Sequence, residues 1–140
     1  MLNPYLSFDG QTKAAFEFYQ SVFGGEFVSN QTFADAPAEM NIPAEFHDRV
    51  MHVSLPVGDS VLMGSDHVPM FGELKTGNNI SISIAPKDRA EADRIFPLLA
   101  EGGEIGMPMA ETFWGAYFGT ARDKFGINWM INVDLSQAGE

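Results

Sequence analysis

Glu111-Thr-Phe-Trp-Gly-Ala-Tyr-Phe-Gly-Thr-Ala-Arg-Asp-Lys-Phe-Gly-Ile-Asn-Trp-Met-Ile-Asn-Val133 decides how this chain is read. Aromatic and β-branched residues fill both ends of the stretch, and Asp123-Lys-Phe-Gly126 divides it. Such side chains fit a pleated surface, while Asp with a nearby Gly supplies a tight reversal. The stretch therefore reads as two strands, 113–121 and 127–133, joined by a turn. Just upstream, 104–109 reads as a third strand.

Working further back, the hydrophobic period becomes helical. Ala92, Ile95, Phe96 and Leu99 fall at i, i+3, i+4 and i+7. Asp88 and Glu91 have the spacing of a capping box, and Pro97 predicts a kink or distorted last turns. Gly102-Gly103-Glu104 closes this helix. Before it, Asn79 to Ala85 alternates Ile with Ser, as a strand with one buried face does.

The first half repeats the order. Tyr5 to Phe8 reads as a strand ending at Asp9-Gly10. Phe16, Tyr19 and Phe23 mark a helix from Thr12, which Gly24-Gly25-Glu26 stops as its counterpart stops the second. Glu26 to Phe33 reads as a strand, and residues 35–48 as an acidic, Pro-containing loop. Arg49–Val57 and Ser60–Ser65 read as a hairpin turning at Gly58-Asp59. Asp66 reads as the cap of the turn after its strand, and a glycine-rich loop, His67 to Asn78, links the halves. At an offset of 78 residues Phe96 matches Phe18 and Ala92 matches Ala14. The order βαβββ thus occurs twice, as an internal duplication or as one α+β domain with two helices.

Composition narrows the function classes. A chain of 140 residues with 45% hydrophobic and 12% aromatic content suits a single domain with a real core. No apolar run approaches the roughly 20 residues of a membrane helix. The opening Met-Leu-Asn-Pro-Tyr-Leu lacks the basic and apolar regions of a signal peptide. The absence of Cys removes disulfides, thiolate metal sites and a Cys nucleophile, and suits the reducing cytoplasm, the expected location. A formal charge of −11, with only eight scattered Lys and Arg, argues against nucleic acid as a partner.

Tyr5-Leu-Ser-Phe-Asp-Gly, Ala15-Phe-Glu-Phe-Tyr, Val22-Phe-Gly-Gly, Met51-His-Val, Met63-Gly-Ser-Asp, Glu111-Thr-Phe-Trp-Gly, and Phe125-Gly with Trp129 together resemble the PhnB-like family. That family, also labelled 3-demethylubiquinone-9 3-methyltransferase, belongs to the vicinal oxygen chelate (glyoxalase/bleomycin resistance/dioxygenase) superfamily. The resemblance spans nearly the whole chain. It implies two βαβββ modules, 3–66 and 79–134, whose eight strands form an open cup, a homodimer, and a small-molecule site in each cup. Metal-using superfamily members carry a ligand on the first and last strand of each module. Laid on this chain, that pattern falls at Pro4, Met63, Asn79 and Met130, or one residue on at Tyr5, Gly64, Ile80 and Ile131. Neither set holds the imidazole or carboxylate that a divalent cation requires, so no metal and no other cofactor is expected. A methyl-donor cofactor fares no better, since Gly102-Gly103-Glu104-Ile105-Gly106 follows a helix and enters a strand.

The candidate site is drawn from strand 49–57. Val50, His52 and Ser54 alternate with the apolar Met51, Val53, Leu55 and Val57, so the His52 face should line the cup. The resemblance also turns this His toward the cavity. His52 reads either as a structural imidazole bonded to a neighbouring strand or as a general base or hydrogen-bond donor. Glu111 is either its partner carboxylate or an exposed hairpin charge. Ser54, Met63, Trp114 and Tyr117 complete the ligand-binding set; Trp114 and Tyr117 read either as an aromatic wall for a flat ligand or as ordinary core, and Trp129 is assigned to the core. Two function classes follow: a binding protein for an apolar or aromatic small molecule, and a metal-independent isomerase or lyase using His52 or Glu111.

Overall fold

A computed structural model describes residues 1–135. Its strands are β1 (Tyr5–Phe8), β2 (Ser29–Thr32), β3 (Val50–Val57), β4 (Ser60–Asp66), β5 (Ile82–Ile84), β6 (Glu104–Glu111), β7 (Ala116–Arg122) and β8 (Asn128–Asp134). The helices are α1 (Thr12–Phe23) and α2 (Arg89–Ala100). The strands form two open four-stranded sheets of the same topology, β1-β4-β3-β2 and β5-β8-β7-β6. In each, the first and last strands of the module run parallel and the other pairs antiparallel. The chain divides into two compact units, Met1–Thr76 and Gly77–Glu140, each with one helix and one sheet.

In the first unit α1 buries Ala15, Phe16, Tyr19 and Val22, while Phe23, which the sequence stripe included, is only half-buried. Each large side chain contributes about 1.5–3 kcal/mol on burial. The helix ends at Gly24, whose φ of 77° suits Gly and whose N–H reaches the Gln20 carbonyl at 2.7 Å. At its other end Gln11 makes no side-chain cap. The buried carboxylate of Asp66 replaces it, Oδ1 accepting from Thr12 N at 3.0 Å and Thr12 Oγ1 at 2.6 Å. Its Oδ2 accepts from Val50 N at 2.8 Å. Asp66 therefore ties helix to sheet instead of capping the turn that follows it.

Gly64 shows which sheet face meets α1. A methyl there would lie 2.6 Å from Phe16 Cε1, so that position points at the helix. Gly64 pairs with Leu6 and Val53, and Leu55 with Leu62, which places these residues on the helix side.

The second unit has its own version of the arrangement. α2 starts at Asp88, whose Oδ1 accepts from Glu91 N at 2.9 Å as the capping spacing predicts. Pro97 lies inside the helix, removing the N–H that would bond the Asp93 carbonyl, yet α2 stays helical through Ala100. A methyl at Gly119 would meet Phe96 at 3.1 Å, so Gly119 and its partner Ile131 face α2, as does Ile84 beyond. The Asp123–Gly126 turn is held by a buried carboxylate. Asp123 Oδ1 accepts from Phe125 N and Ile127 N, and Oδ2 from Trp129 Nε1 at 2.8 Å. Trp129, 2% exposed, is core.

Five elements depart from the sequence reading, the first being the strand expected over 113–121, which begins only at Ala116 because the chain turns at 113–115. The strand expected over Glu26–Phe33 pairs only at Ser29–Thr32, because Phe33 is buried and the chain turns there into a 3-10 helix, Phe33–Asp35. The acidic loop after it contains two more such turns, Ala38–Met40 and Ala44–Phe46. The strand expected over 79–85 is confined to Ile82–Ile84, with Ile80 exposed. In β3, Gln31 pairs with His52 but Thr32 with Val50, so Met51 is an extra residue. This bulge interrupts the alternation, which holds only from His52 onward.

Candidate functional site

The helix-free face of the first sheet is set by the pleat. With Gly64 and Val53 against α1, Met63 and Ser54 point away from it, and so does Tyr5. Register joins Tyr5 to Met63, Met63 to Ser54, and Ser54 to Ser29 in one row across all four strands. His52 lies two residues along β3 from Ser54, on the same face. Its Nδ1 lies 3.1 Å from Tyr5 Oη, and the two rings are 5.7 Å apart at 31°. The structure thus unites three of the sequence-predicted site residues, His52, Ser54 and Met63, and adds Tyr5. Ser54 is buried, His52 and Met63 are half-buried, and Tyr5 is half-exposed.

The pair leaves His52 with one unused nitrogen, since Nε2 has no partner among the described residues. If Tyr5 donates to Nδ1, Nε2 carries the proton and is a donor. If Nδ1 donates to the phenol oxygen, Nε2 is an acceptor and a base. The other histidines are engaged away from this face. A ring nitrogen of His47 meets the Ile42 carbonyl at 2.8 Å, and one of His67 meets the Gly72 carbonyl.

Glu111 has a different setting. Its Oε1 accepts from Arg89 Nη1 at 2.7 Å, and both side chains are about half exposed or more. Arg89 also lies 4.1 Å over the Tyr117 ring, and Tyr117 Oη donates to Asp93 Oδ1 at 2.6 Å. The four residues join α2 to β6 and β7. The Asp93 hydrogen bond, helped by burial, raises the Tyr117 phenol above its ordinary range, and the Glu111 hydrogen bond raises the Arg89 guanidinium. Tyr117 pairs with Val133 on the α2 side of its sheet, so its ring is directed to the helix and away from the helix-free face, contrary to its place in the ligand-binding set expected from the sequence. Trp114, 56% exposed, stands edge-on to Phe118 at 5.9 Å. Phe118 pairs with Asn132 on the helix-free face of the second sheet, so Trp114 borders that face.

Metal-using members of the superfamily resembled above bind through the parallel strands of each module. On the helix-free faces those strands pair Tyr5 with Met63 and Ser83 with Met130. Gly64 and Ile131 face the helices, and Ile80 lies outside its strand. The paired positions offer a phenol, a hydroxyl and two thioethers, with no imidazole or carboxylate. That donor set does not fit a hard or borderline divalent cation. Among the described residues no cluster of three or more His, Cys, Asp or Glu has metal-holding geometry. A cleft of about 250 Å³ occurs elsewhere, lined by Gly102, Gly103, Glu104, Arg122, Asp123, Lys124 and Gly126. Of its two carboxylates, Glu104 and Asp123, the second is taken up by the turn and Trp129, and the cleft contains none of the predicted site residues.

The family profile described as 3-demethylubiquinone-9 3-methyltransferase matches residues 1–132. The chain belongs to that family. Protein YjdN of Escherichia coli (strain K12) is 34% identical over 144 residues, covering 97% of each chain. The crystal structure of protein PA1353 from Pseudomonas aeruginosa is 40% identical, with a TM-score of 0.85 over 96% of this chain and 97% of that one. A glyoxalase/bleomycin resistance protein/dioxygenase family enzyme from Burkholderia phytofirmans PsJN shares the fold, with 20% identity and a TM-score of 0.65 over 94% of this chain and 97% of that one. The fold is thus that of the glyoxalase/bleomycin resistance superfamily. Family membership carries the label and the scaffold; a reaction has to be argued from the site. Among the described residues no helix is long and apolar enough to cross a membrane.

Proposed function

We propose that the protein binds a small molecule with an apolar or aromatic body, without a metal, on the helix-free face that carries His52. The observation supporting this most is the Tyr5–His52 pair, 3.1 Å apart, with Nε2 left over on the face that also carries Met63 and Ser54. Met63 supplies a soft apolar surface, and in the tautomer in which Tyr5 donates to Nδ1, His52 Nε2–H supplies a single orienting donor. Trp114 and Phe118 give the second unit an exposed aromatic surface suited to a planar ring. Methyl transfer has no residue-level support here.

The same pair in its other tautomer supports a second reading, a metal-independent isomerase or lyase with His52 as base. Glu111 is less suited to catalysis, since Arg89 holds its carboxylate. Calorimetric titration with 2-acetylnaphthalene in the presence of chelator tests the binding reading, and side-chain ¹⁵N spectra read the tautomer. Saturable binding with an Nε2–H tautomer is expected. Loss of binding on chelation would refute metal independence. Turnover that survives chelator and is abolished in His52→Ala would put the enzyme reading first.

We also propose a homodimer. β6 is exposed along nearly its whole length, with Ile105 and Met107 about half exposed, and Phe113 just beyond it is 97% exposed. Such an edge invites pairing unless covered. Sedimentation equilibrium should give twice the chain mass, and a monomer at high micromolar concentration would refute it.

A further inference from the structure

The face that carries His52 holds no charged side chain. Beyond Tyr5, Met63 and Ser54, its positions are Ser7 opposite Ser65, Ser29 opposite Ser54, Gln31 opposite His52, and Pro56 opposite Val61. Pro56 and Val61 are apolar, and the others carry a hydroxyl, an amide or the imidazole itself. We propose that this face selects an uncharged, oxygen-bearing ring compound, such as a ketone, quinone or neutral phenol, and discriminates against carboxylates and phosphates. The inference rests on the binding reading above and adds the charge class of the ligand.

Proteins hold anions with Arg or Lys, or with the free N–H groups of a helix N-terminus. Neither device serves this face. The only Lys and Arg of the first unit are Lys13, Arg49 and Lys75. Lys13 lies on α1, against the opposite face, and Lys75 lies beyond the strands. Arg49 is bound to Asp9 at 2.8 Å and to the His67 carbonyl at 2.5 Å. At α1 the Asp66 carboxylate already occupies the N-terminus through Thr12. An anion placed here would lose hydration without gaining a counter-charge, inside the field of a chain with formal charge −11. A neutral oxygen loses less and finds hydroxyl, amide and imidazole partners, whose donors and acceptors turn to suit it.

Two ligands with the same ring separate the possibilities: 2-acetylnaphthalene, a neutral ketone, and 2-naphthoate, its carboxylate counterpart. Calorimetry at low and at physiological ionic strength should give saturable ketone binding and naphthoate binding at least about tenfold weaker at low salt, the gap narrowing as salt screens the field. Ser7→Lys, at an exposed strand position, and Ser65→Lys each add a cation to the face. Whichever variant keeps the wild-type melting temperature should close most of the gap by tightening naphthoate alone. Naphthoate binding as tight as the ketone in wild type would overturn the charge-class inference and leave the binding reading standing. Failure of both ligands to bind would overturn both.

Discussion

Asp66→Ala tests the account of how the first unit is held together. The carboxylate is 4% exposed and accepts from Thr12 N, Thr12 Oγ1 and Val50 N at 3.0, 2.6 and 2.8 Å. A hydrogen bond to a charged group is worth about 1.5–3 kcal/mol, and a buried donor left unpaired costs about 1–3 kcal/mol. The three bonds share one acceptor group, so their separate values do not add. The expected loss is about 3–5 kcal/mol, which is much of the roughly 5–15 kcal/mol that holds a typical domain folded. Urea titration followed by circular dichroism measures it, with Asp66→Asn as a milder substitution that keeps one oxygen. Thr12→Val removes only the 2.6 Å partner. The double variant with Asp66→Ala should therefore show coupling of about 1 kcal/mol or more. A loss below about 1 kcal/mol in Asp66→Ala, or full additivity with Thr12→Val, would refute the reasoning.

Two further perturbations test the helix–sheet contacts and the cluster on α2. Gly64→Ala would put a methyl 2.6 Å from Phe16 Cε1 and 3.0 Å from the Leu6 carbonyl oxygen, so urea unfolding should show a loss of about 1–3 kcal/mol. Gly58→Ala, with nothing within 4 Å but a φ of 59°, controls for backbone strain alone. Tyr117 should titrate above the ordinary phenol range in a spectrophotometric pH titration, and Asp93→Asn should bring it down. Because the folded phenol holds its proton longer than the unfolded one, stability at this residue is intact below the unfolded phenol range and falls as pH rises through it.

The sequence revealed elements more readily than their connections. Phe16, Tyr19 and Phe23 gave α1 because a helix returns to the same face every three or four residues, a purely local pattern. Asp88 with Glu91 gave the start of α2 for the same reason. The face of Tyr117 was also open to counting: the Asp123–Gly126 turn sets Arg122 opposite Asn128, and stepping back along that hairpin brings Tyr117 to the apolar Val133. Other features left no local signal. The Met51 bulge depends on how β2 and β3 meet, and it decides where alternation can be trusted. Asp66 finds Thr12 across 54 residues, and His52 finds Tyr5 across 47. A carboxylate or imidazole in a sequence does not announce such distant partners. His52, Ser54 and Met63 are candidates that the sequence offers and that share one face, while Tyr5, whose phenol lies 3.1 Å from the imidazole, becomes visible only when β1 and β3 are placed in one sheet.

The most direct test of the central claim is the affinity of 2-acetylnaphthalene and of naphthalene for wild type, His52→Ala and Tyr5→Phe. One hydrogen bond of about 1–1.5 kcal/mol corresponds to roughly tenfold in affinity. The account predicts that His52→Ala loses about that factor for the ketone and stays within about twofold for naphthalene. Tyr5→Phe, which frees the ring to change tautomer and direction, should lose part of the same factor. Equal losses for both ligands, or none for the ketone, would contradict the claim that His52 Nε2 orients a ligand on this face.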